Sequence, residues 1–571
     1  EKIYGKQGLE YASSLEKLAD LYVTLDDLSS ALKMHLEVME IRGRILGEQS
    51  IDYAASLLNL ASLYSKMIDY STGLTYAQKG LDIIGYVAGK QNSDYASGLR
   101  ILSQLYNDIG DIENSKKLQL KALEIDEIVL GTLHPDYALD LVNLAGLYEL
   151  IEDYSHSIEL LRQAMEIFES KVGKQHEDYA VCLSRIGNNY LSLNKMDSAK
   201  QYFEEALEIN KEMFGDSHSE YANSLYDIGA YYFKNEDYKS AVQIYQECLK
   251  IVEKVYGIEH PICAGLLYNM GLVYDILGDV KVADRYYLKE IEINFSESMS
   301  SLKYLSEQQQ KKYWNNYNTS LESIQSFYIR NGGEVSSLPT IFNLYLESNG
   351  VLLSSKRSLL SWASTSDDTM VFETYREFKR NCRLLYSEEN LPIENRHYDI
   401  DSLNKLVNLY EEQLTRLGSE RLNLNFTTGI SWEDIEKALE PKELVICFSH
   451  FNYMDLKSWT DSVMYAAYVI PYGTNKPIFI PLFEEMELVE LIERSQKDPN
   501  ALYGYSKVEI ADSYVGDDIW SLVWGELTQF LEGVDKIYFT ASGLLNEINL
   551  SALPDGLDQK HQPMLVNYNM M

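Results

Sequence analysis

A chain of 571 residues exceeds what one compact core accommodates, so several units are expected, fewer if one is a solenoid. A net charge of -37 repels phosphate backbones and anionic lipid, which argues against nucleic acid and membrane surfaces as general partners and favours basic or amphipathic peptides. Cys182, Cys248, Cys263, Cys382 and Cys447 are odd in number and scattered without a CxxC pair. Neither a disulfide framework nor a zinc site is indicated, a reducing cytoplasm is the natural setting, and no metal or cofactor is expected. No run reaches the roughly 20 apolar residues of a membrane helix.

From the first residues onward a Tyr-Ala pair returns every 42 residues: Tyr11-Ala12, Tyr53-Ala54, Tyr95-Ala96, Tyr137-Ala138, Tyr179-Ala180 and Tyr221-Ala222, with Cys263-Ala264 as the seventh copy. Leu15, Leu57, Leu99, Leu141, Leu183, Leu225 and Leu267 follow three residues after each alanine. Small residues (Ala19, Ala61, Ser103, Ala145, Gly187, Gly229, Gly271) come next, then Tyr22, Tyr64, Tyr106, Tyr148, Tyr190, Tyr232 and Tyr274. Offsets of three and four place these on one face of a helix, so the tyrosines of the last series are expected to be largely buried. A turn marked by Asp69, Asp111, Asp153 and Asp237 leads to a second helix, which carries a small residue near its start, an isoleucine near its end, and closes on Gly47, Gly89, Gly131, Gly173, Gly215 or Gly257 in the left-handed conformation. Each unit is a helical hairpin, and an unbroken register means each packs on the next through one geometry. Extrapolation by one period reaches Gly5, so residues 1–5 read as the tail of an earlier hairpin, and the array is expected to begin before this chain does. His134, His176, His218 and His260 open their units and are too far apart to share a metal; helix-start packing is the role expected of them.

The order Leu-x-x-Leu-Ala-x-x-Tyr, followed by a small residue in the second helix, resembles the tetratricopeptide repeat, and the 42-residue period with His-Pro-x-Tyr-Ala at His134 looks like the repeats of kinesin light chains. The resemblance spans about residues 5 to 295 in seven hairpins. It implies a superhelix whose first helices line a peptide-binding groove. Two residues before each small residue stand Lys17, Asn59, Ile101, Asn143, Arg185, Asp227 and Asn269. Family members often use asparagine there to bond a bound peptide's backbone, which makes Asn59, Asn143 and Asn269 candidate peptide-binding residues; bonding within the solenoid or to solvent is the alternative.

Beyond Ile293 the period disappears. An amphipathic run (Tyr345 to Leu353) and helices across Glu373–Leu385 and Leu403–Leu417 form a connector, and Ser431-Trp432-Glu433-Asp434 caps a further helix. Strand-like runs at 444–448, 464–470, 478–482 and 536–540, with a helix through Trp520, Val523, Leu527 and Leu531, indicate an α/β sheet. The last strand runs into Ala541-Ser542-Gly543-Leu544 and ends at Ser551-Ala552-Leu553-Pro554, which resembles the signature of the CHAT domain, a caspase-like module found behind tetratricopeptide repeats. Asn349 to Leu353 with Ser366-Asp367-Asp368, the Trp432 helix and the Leu502-Tyr503 segment support the match. The expected architecture is therefore an α solenoid (1–295), a helical connector (296–425) and the front part of an α/β caspase-like domain (426–571). The resemblance implies a cysteine endopeptidase whose histidine and cysteine motifs follow the Leu-Pro segment. Neither is found up to Met571, so no catalytic residue is assigned and whether this chain is an enzyme stays open. Cys447 and His450 lie three apart on a strand, point to opposite faces and form no pair; His561 has no cysteine after it. Two functions remain: a repeat sensor controlling a cysteine endopeptidase half, or a non-catalytic interaction scaffold.

Overall fold

The computed structural model describes residues 8–24, 28–67, 69–301, 314–332, 335–389, 396–419, 430–456, 458–495, 515–548, 550 and 564–567. Gly5, the Leu502-Tyr503 segment, Leu553-Pro554 and His561 lie outside them, as do the side chains of Val351, Leu352 and Leu353. Two compact units, residues 1–258 and 259–571, make up the chain.

The first unit holds six hairpins: α1 (Leu9–Thr24) with α2 (Leu28–Leu46), α3 (Ile51–Lys66) with α4 (Tyr70–Val87), α5 (Ser93–Asp108) with α6 (Ile112–Val129), α7 (Pro135–Leu150) with α8 (Tyr154–Lys171), α9 (Glu177–Ser192) with α10 (Met196–Phe214), and α11 (Ser219–Lys234) with α12 (Tyr238–Tyr256). Their starts are set by capping. Asp69, Asp111, Asp153 and Asp237 each accept the backbone N–H three residues on, at Thr72, Asn114, His156 and Ser240. His134, His176 and His218 do the equivalent through Nδ1, accepting from Asp136, Asp178 and Glu220, so these histidines open helices as expected. The closing glycines all have positive φ, but Gly215 and Gly257 combine φ 85° and 86° with ψ 169° and 153°. That is an extended, glycine-only region rather than the left-handed helical one, because the chain must turn out sharply toward the next hairpin.

Within a hairpin, size is matched across the helices. A Cβ added at Gly187 would lie 2.5 Å from the Phe203 ring, and one at Gly229 would lie 2.3 Å from the Tyr245 ring. Where Leu161 fills the place of those rings, the facing residue is Ala145. The leucine series is buried throughout, but the tyrosines from Tyr22 to Tyr274 are only half-buried, contrary to expectation. They sit near the end of each first helix and cover the mouth of the hairpin with one edge in water, ring on ring: Tyr64 stacks on Tyr76 at 5.5 Å and Tyr190 lies 5.6 Å from Tyr202. Of the tyrosines in the Tyr-Ala pairs, Tyr53, Tyr95, Tyr179 and Tyr221 are buried, and Tyr11 and Tyr137 are half-buried.

Successive hairpins are joined by alternating chemistry at one pair of positions. Arg42 donates to Ser56 (2.9 Å) and Asn210 to Ser224 (2.9 Å); between them, Asp126 and Asp140 share Arg100 at 2.7 and 3.0 Å. The intervening positions are the apolar Ile84 with Gly98 and Phe168 with Cys182. Slipping the array by one hairpin would put a buried charge against an apolar partner, so this alternation specifies which repeat stacks on which.

The second unit opens with the seventh hairpin, α13 (Ile262–Ile276) and α14 (Val280–Ser301). Ala283, Tyr287, Ile291 and Phe295 on α14 share a core with Trp314, Tyr317, Ile324 and Phe327 on and beside α15 (Asn315–Arg330) and with Leu338, Ile341 and Phe342 on α16 (Leu338–Thr365). Helices α17 (Thr369–Glu389) and α18 (Ile400–Ser419) form a small core with the end of α16 through Leu359, Phe378 and Leu414. Ser431 and Asp434 close a reciprocal capping box on α19 (Trp432–Ala438).

The sheet comprises β1 (Glu443–Met454), β2 (Trp459–Pro471), β3 (Ile478–Glu484), β4 (Lys536–Thr540) and β5 (Met564–Asn567), in the order β3-β2-β1-β4-β5. β1, β2 and β3 form an antiparallel meander, whereas β4 lies parallel to β1 and β5 parallel to β4. The meander arises because short links join β1 to β2 and β2 to β3, too short for a crossover helix. Both faces are covered. Cys447, Phe451, Tyr468 and Phe479 face the helical core that includes α14 and α15, and Ile446, Phe448, Tyr465 and Val469 face Ile519, Val523 and Trp524 of α21 (Val515–Trp524), which comes after α20 (Glu485–Ser495).

Candidate functional site

Among the first helices α3 meets α5 and α9 meets α11, whereas no two neighbouring second helices meet to the same extent. The column from Lys17 to Asp227 lies on the first helices. Asn59 is engaged within the array: its Nδ2 donates to Glu16 Oε1 (2.9 Å), and Arg42 grips the same carboxylate at 2.8 and 2.6 Å. Asn143 is exposed and has no hydrogen-bond partner among the described residues. Asn269 stands on α13 in the second unit, half-buried. Within the first unit, Asn143 is therefore the candidate whose amide is open.

Other members of the column carry more of the local chemistry. Arg185 reaches back to the Val142 carbonyl (2.8 Å) and Glu149 (2.7 Å), tying α9 to α7. Asp227 accepts a hydrogen bond from Asn188 Nδ2 (3.2 Å), and burial pushes its carboxyl up to about 6. Between α3 and α5 a cavity of about 470 Å³ is lined by Ser62, Lys66, Tyr70, Ile101, Gln104 and Asp108, wide enough for one large side chain. Asp227 was visible in the repeat column; its environment was not, since that depends on what α9 and α12 present to it.

In the second unit the candidate chemistry gathers where β4 ends. Cys447 faces the helical core and burial pushes its thiol up to about 11, while His450 points to the other face. His450 Nδ1 lies 2.6 Å from Ser542 Oγ, and its ring stacks on Tyr465 with centroids 5.8 Å apart. Tyr465 accepts the Leu544 N–H (2.8 Å) and donates to Glu485 (3.0 Å). Gly543, at φ 54°, passes so close that an added Cβ would meet the Tyr465 hydroxyl at 2.2 Å. His450 and Tyr465 thus clamp the turn after β4, a role that strand alternation alone does not reveal. Among the described residues no group of three or more His, Cys, Asp or Glu could hold a metal ion, and no helix is long and apolar enough to cross a membrane.

A family profile described as tetratricopeptide repeat matches residues 10–84, 94–170, 157–212 and 220–294. The hairpins are tetratricopeptide repeats. No curated protein matches the chain. Among solved structures the tetratricopeptide array is similar to BtubC (BKLC) from P. vanneervenii, at 19% identity over 40% of this chain and 89% of that one, with a TM-score of 0.33. It is also similar to the nearly identical TPR-like repeats of a Podosopora anserina kinesin-light-chain-type protein, at 17% identity over 35% of this chain and 94% of that one (TM-score 0.32). A Rap protein complexed with competence and sporulation factor aligns at 15% identity over 71% of this chain and 99% of that one (TM-score 0.38).

Proposed function

We propose that the tetratricopeptide array is a receptor for protein or peptide ligands, and that the second unit is the front part of a CHAT-type cysteine endopeptidase under its control. The observation that carries the first half is the inner column, where identically spaced hairpins present polar side chains along first helices with Asn143 open. An extended peptide offers alternating donors and acceptors that such amides meet. The second half rests on the Ala541 to Pro554 resemblance together with the parallel pairing of β1 and β4 ahead of it. The second reading is an interaction scaffold without catalysis, and the buried Cys447 with its raised thiol pKa favours it within this chain. Five scattered cysteines with no CxxC pair suit a cytoplasmic setting for either.

The test is selection of a random 12-residue peptide display library on the immobilised chain, followed by hydrogen exchange with the selected peptides. Protection is expected on α5, α7, α9 and α11, with a further change at residues 541–548 if occupancy controls the second unit. Enrichment of no peptide, or protection confined to the second helices, defeats the receptor reading. Protection on the first helices with no change at 541–548 favours the scaffold.

A further inference from the structure

We infer that Asp227 anchors a cationic side chain, arginine or lysine, of the peptide lying on the first helices; this rests on the receptor function proposed above and names the chemistry of its ligand. Among the described residues Glu16 pairs with Arg42 at 2.6 Å, Glu149 with Arg185 at 2.7 Å, and Asp126 and Asp140 with Arg100, whereas Asp108, beside the α3–α5 cavity, accepts from Ser65 and from Gln104 (2.7 Å). Asp227 differs from the four arginine-paired carboxylates. Among the described residues no lysine or arginine pairs with it, and it accepts from the Asn188 amide at 3.2 Å. It sits on α11 at the seam with α9, in the column that carries Asn143. The groups facing it are Ser184 and Asn188 from α9 and Tyr245 from α12, all uncharged at neutral pH.

A half-buried carboxylate without a counter-cation is costly when ionised, and an arriving guanidinium or ammonium removes that cost. Tyr226, the neighbouring residue, is 37% exposed and presents an aromatic ring on which a guanidinium plane stacks. One carboxylate and one amide are too few ligands for a calcium or magnesium ion, which sets a peptide cation above a metal. The acidic charge of the whole chain steers the same class of ligand.

The test uses the full chain and the display library of 12-residue peptides, selected in parallel on wild type and Asp227→Asn. Wild type should enrich arginine or lysine at one position. Resynthesis of a selected peptide with citrulline for that arginine, which keeps shape and removes charge, should weaken binding about tenfold or more. Asp227→Asn should bind both forms alike, and the wild-type preference should fade as pH falls through about 6, where Asp227 protonates. Without ligand, Asp227→Asn should melt no lower than wild type at pH 7.5; a lower melting temperature would make Asp227 a structural residue and overturn the inference. Selected peptides that tolerate citrulline, or an Asp227→Asn variant that still prefers arginine, overturn it while leaving the receptor reading intact. Selection of no peptide defeats both.

Discussion

At Gly229 the absence of one methyl group decides how two helices meet. The hydrogen on its Cα faces the Tyr245 ring, and Gly229→Ala should cost about 1–3 kcal/mol through overpacking. Combining it with Tyr245→Leu, which reproduces the Ala145 and Leu161 pairing two hairpins earlier, should recover part of that loss. A double-mutant cycle by urea unfolding measures the coupling; additive costs would refute direct contact as the cause. The asparagines should separate in the same way. Asn59→Ala removes the bond to Glu16 and should destabilise by about 0.5–1.5 kcal/mol, more if Glu16 is left under-bonded, whereas Asn143→Ala should leave the melting temperature nearly unchanged and act on ligand binding alone. If both variants melt as wild type does, the Asn59 bond contributes nothing.

Among elements, the seam between α14 and α15 carries a titratable group of consequence. Glu290 is 5% exposed, and its carboxyl accepts from Asn294 (2.6 Å) and Ser320 (2.5 Å), with no cation paired to it among the described residues; burial pushes its pKa up to about 8. Tyr268 and Tyr287 stand nearby. The folded pKa is raised above the ordinary 4.5, so the native state binds this proton more tightly than the unfolded chain does. Its contribution is therefore complete below about pH 4.5 and is lost as pH rises through about 8, on the order of 3–5 kcal/mol in all. Glu290→Gln keeps the acceptor oxygen and removes the titration. The second unit should lose stability between about pH 5 and 8 in wild type and much less in the variant; equal slopes would mean Glu290 ionises freely in the fold.

For the molecule as a whole, the expected outcome is an absence of peptide hydrolysis. Cys447 lies on the opposite face of β1 from His450, and its raised thiol pKa leaves little thiolate at neutral pH. A maleimide should label it no faster than an ordinary buried cysteine, and His450→Ala should not change that rate. Stoichiometric labelling within the time of an exposed thiol, abolished by His450→Ala, would show that the two cooperate. The same substitution should instead loosen the Ser542-Gly543 turn, read as faster hydrogen exchange at Leu544, whose N–H is held by Tyr465.

Helix pairing, capping and the spacing of the hairpins were legible in the sequence because they depend on neighbours within about 42 residues, and a strict period repeats the same local instruction seven times. Asp69, His134 and Ser431 cap helices where their residue types and positions imply, and the strands at 444–448 and 536–540 follow from short β-branched and aromatic runs. Tertiary structure alone decided the rest. The seventh hairpin carries the repeat pattern yet belongs to the second unit, because Tyr287 and Phe295 meet Phe327 and Trp314 from a helix outside the period. The half-buried tyrosines, the Asn59 bond to Glu16, the lone carboxylate of Asp227 and the clamp of His450 on Ser542 all depend on residues that are 39 to 92 positions apart or on the depth of burial. Periodicity assigns a side chain to a face of its own helix or strand. Only packing determines what stands opposite, and it is the opposite partner that sets charge, exposure and reactivity.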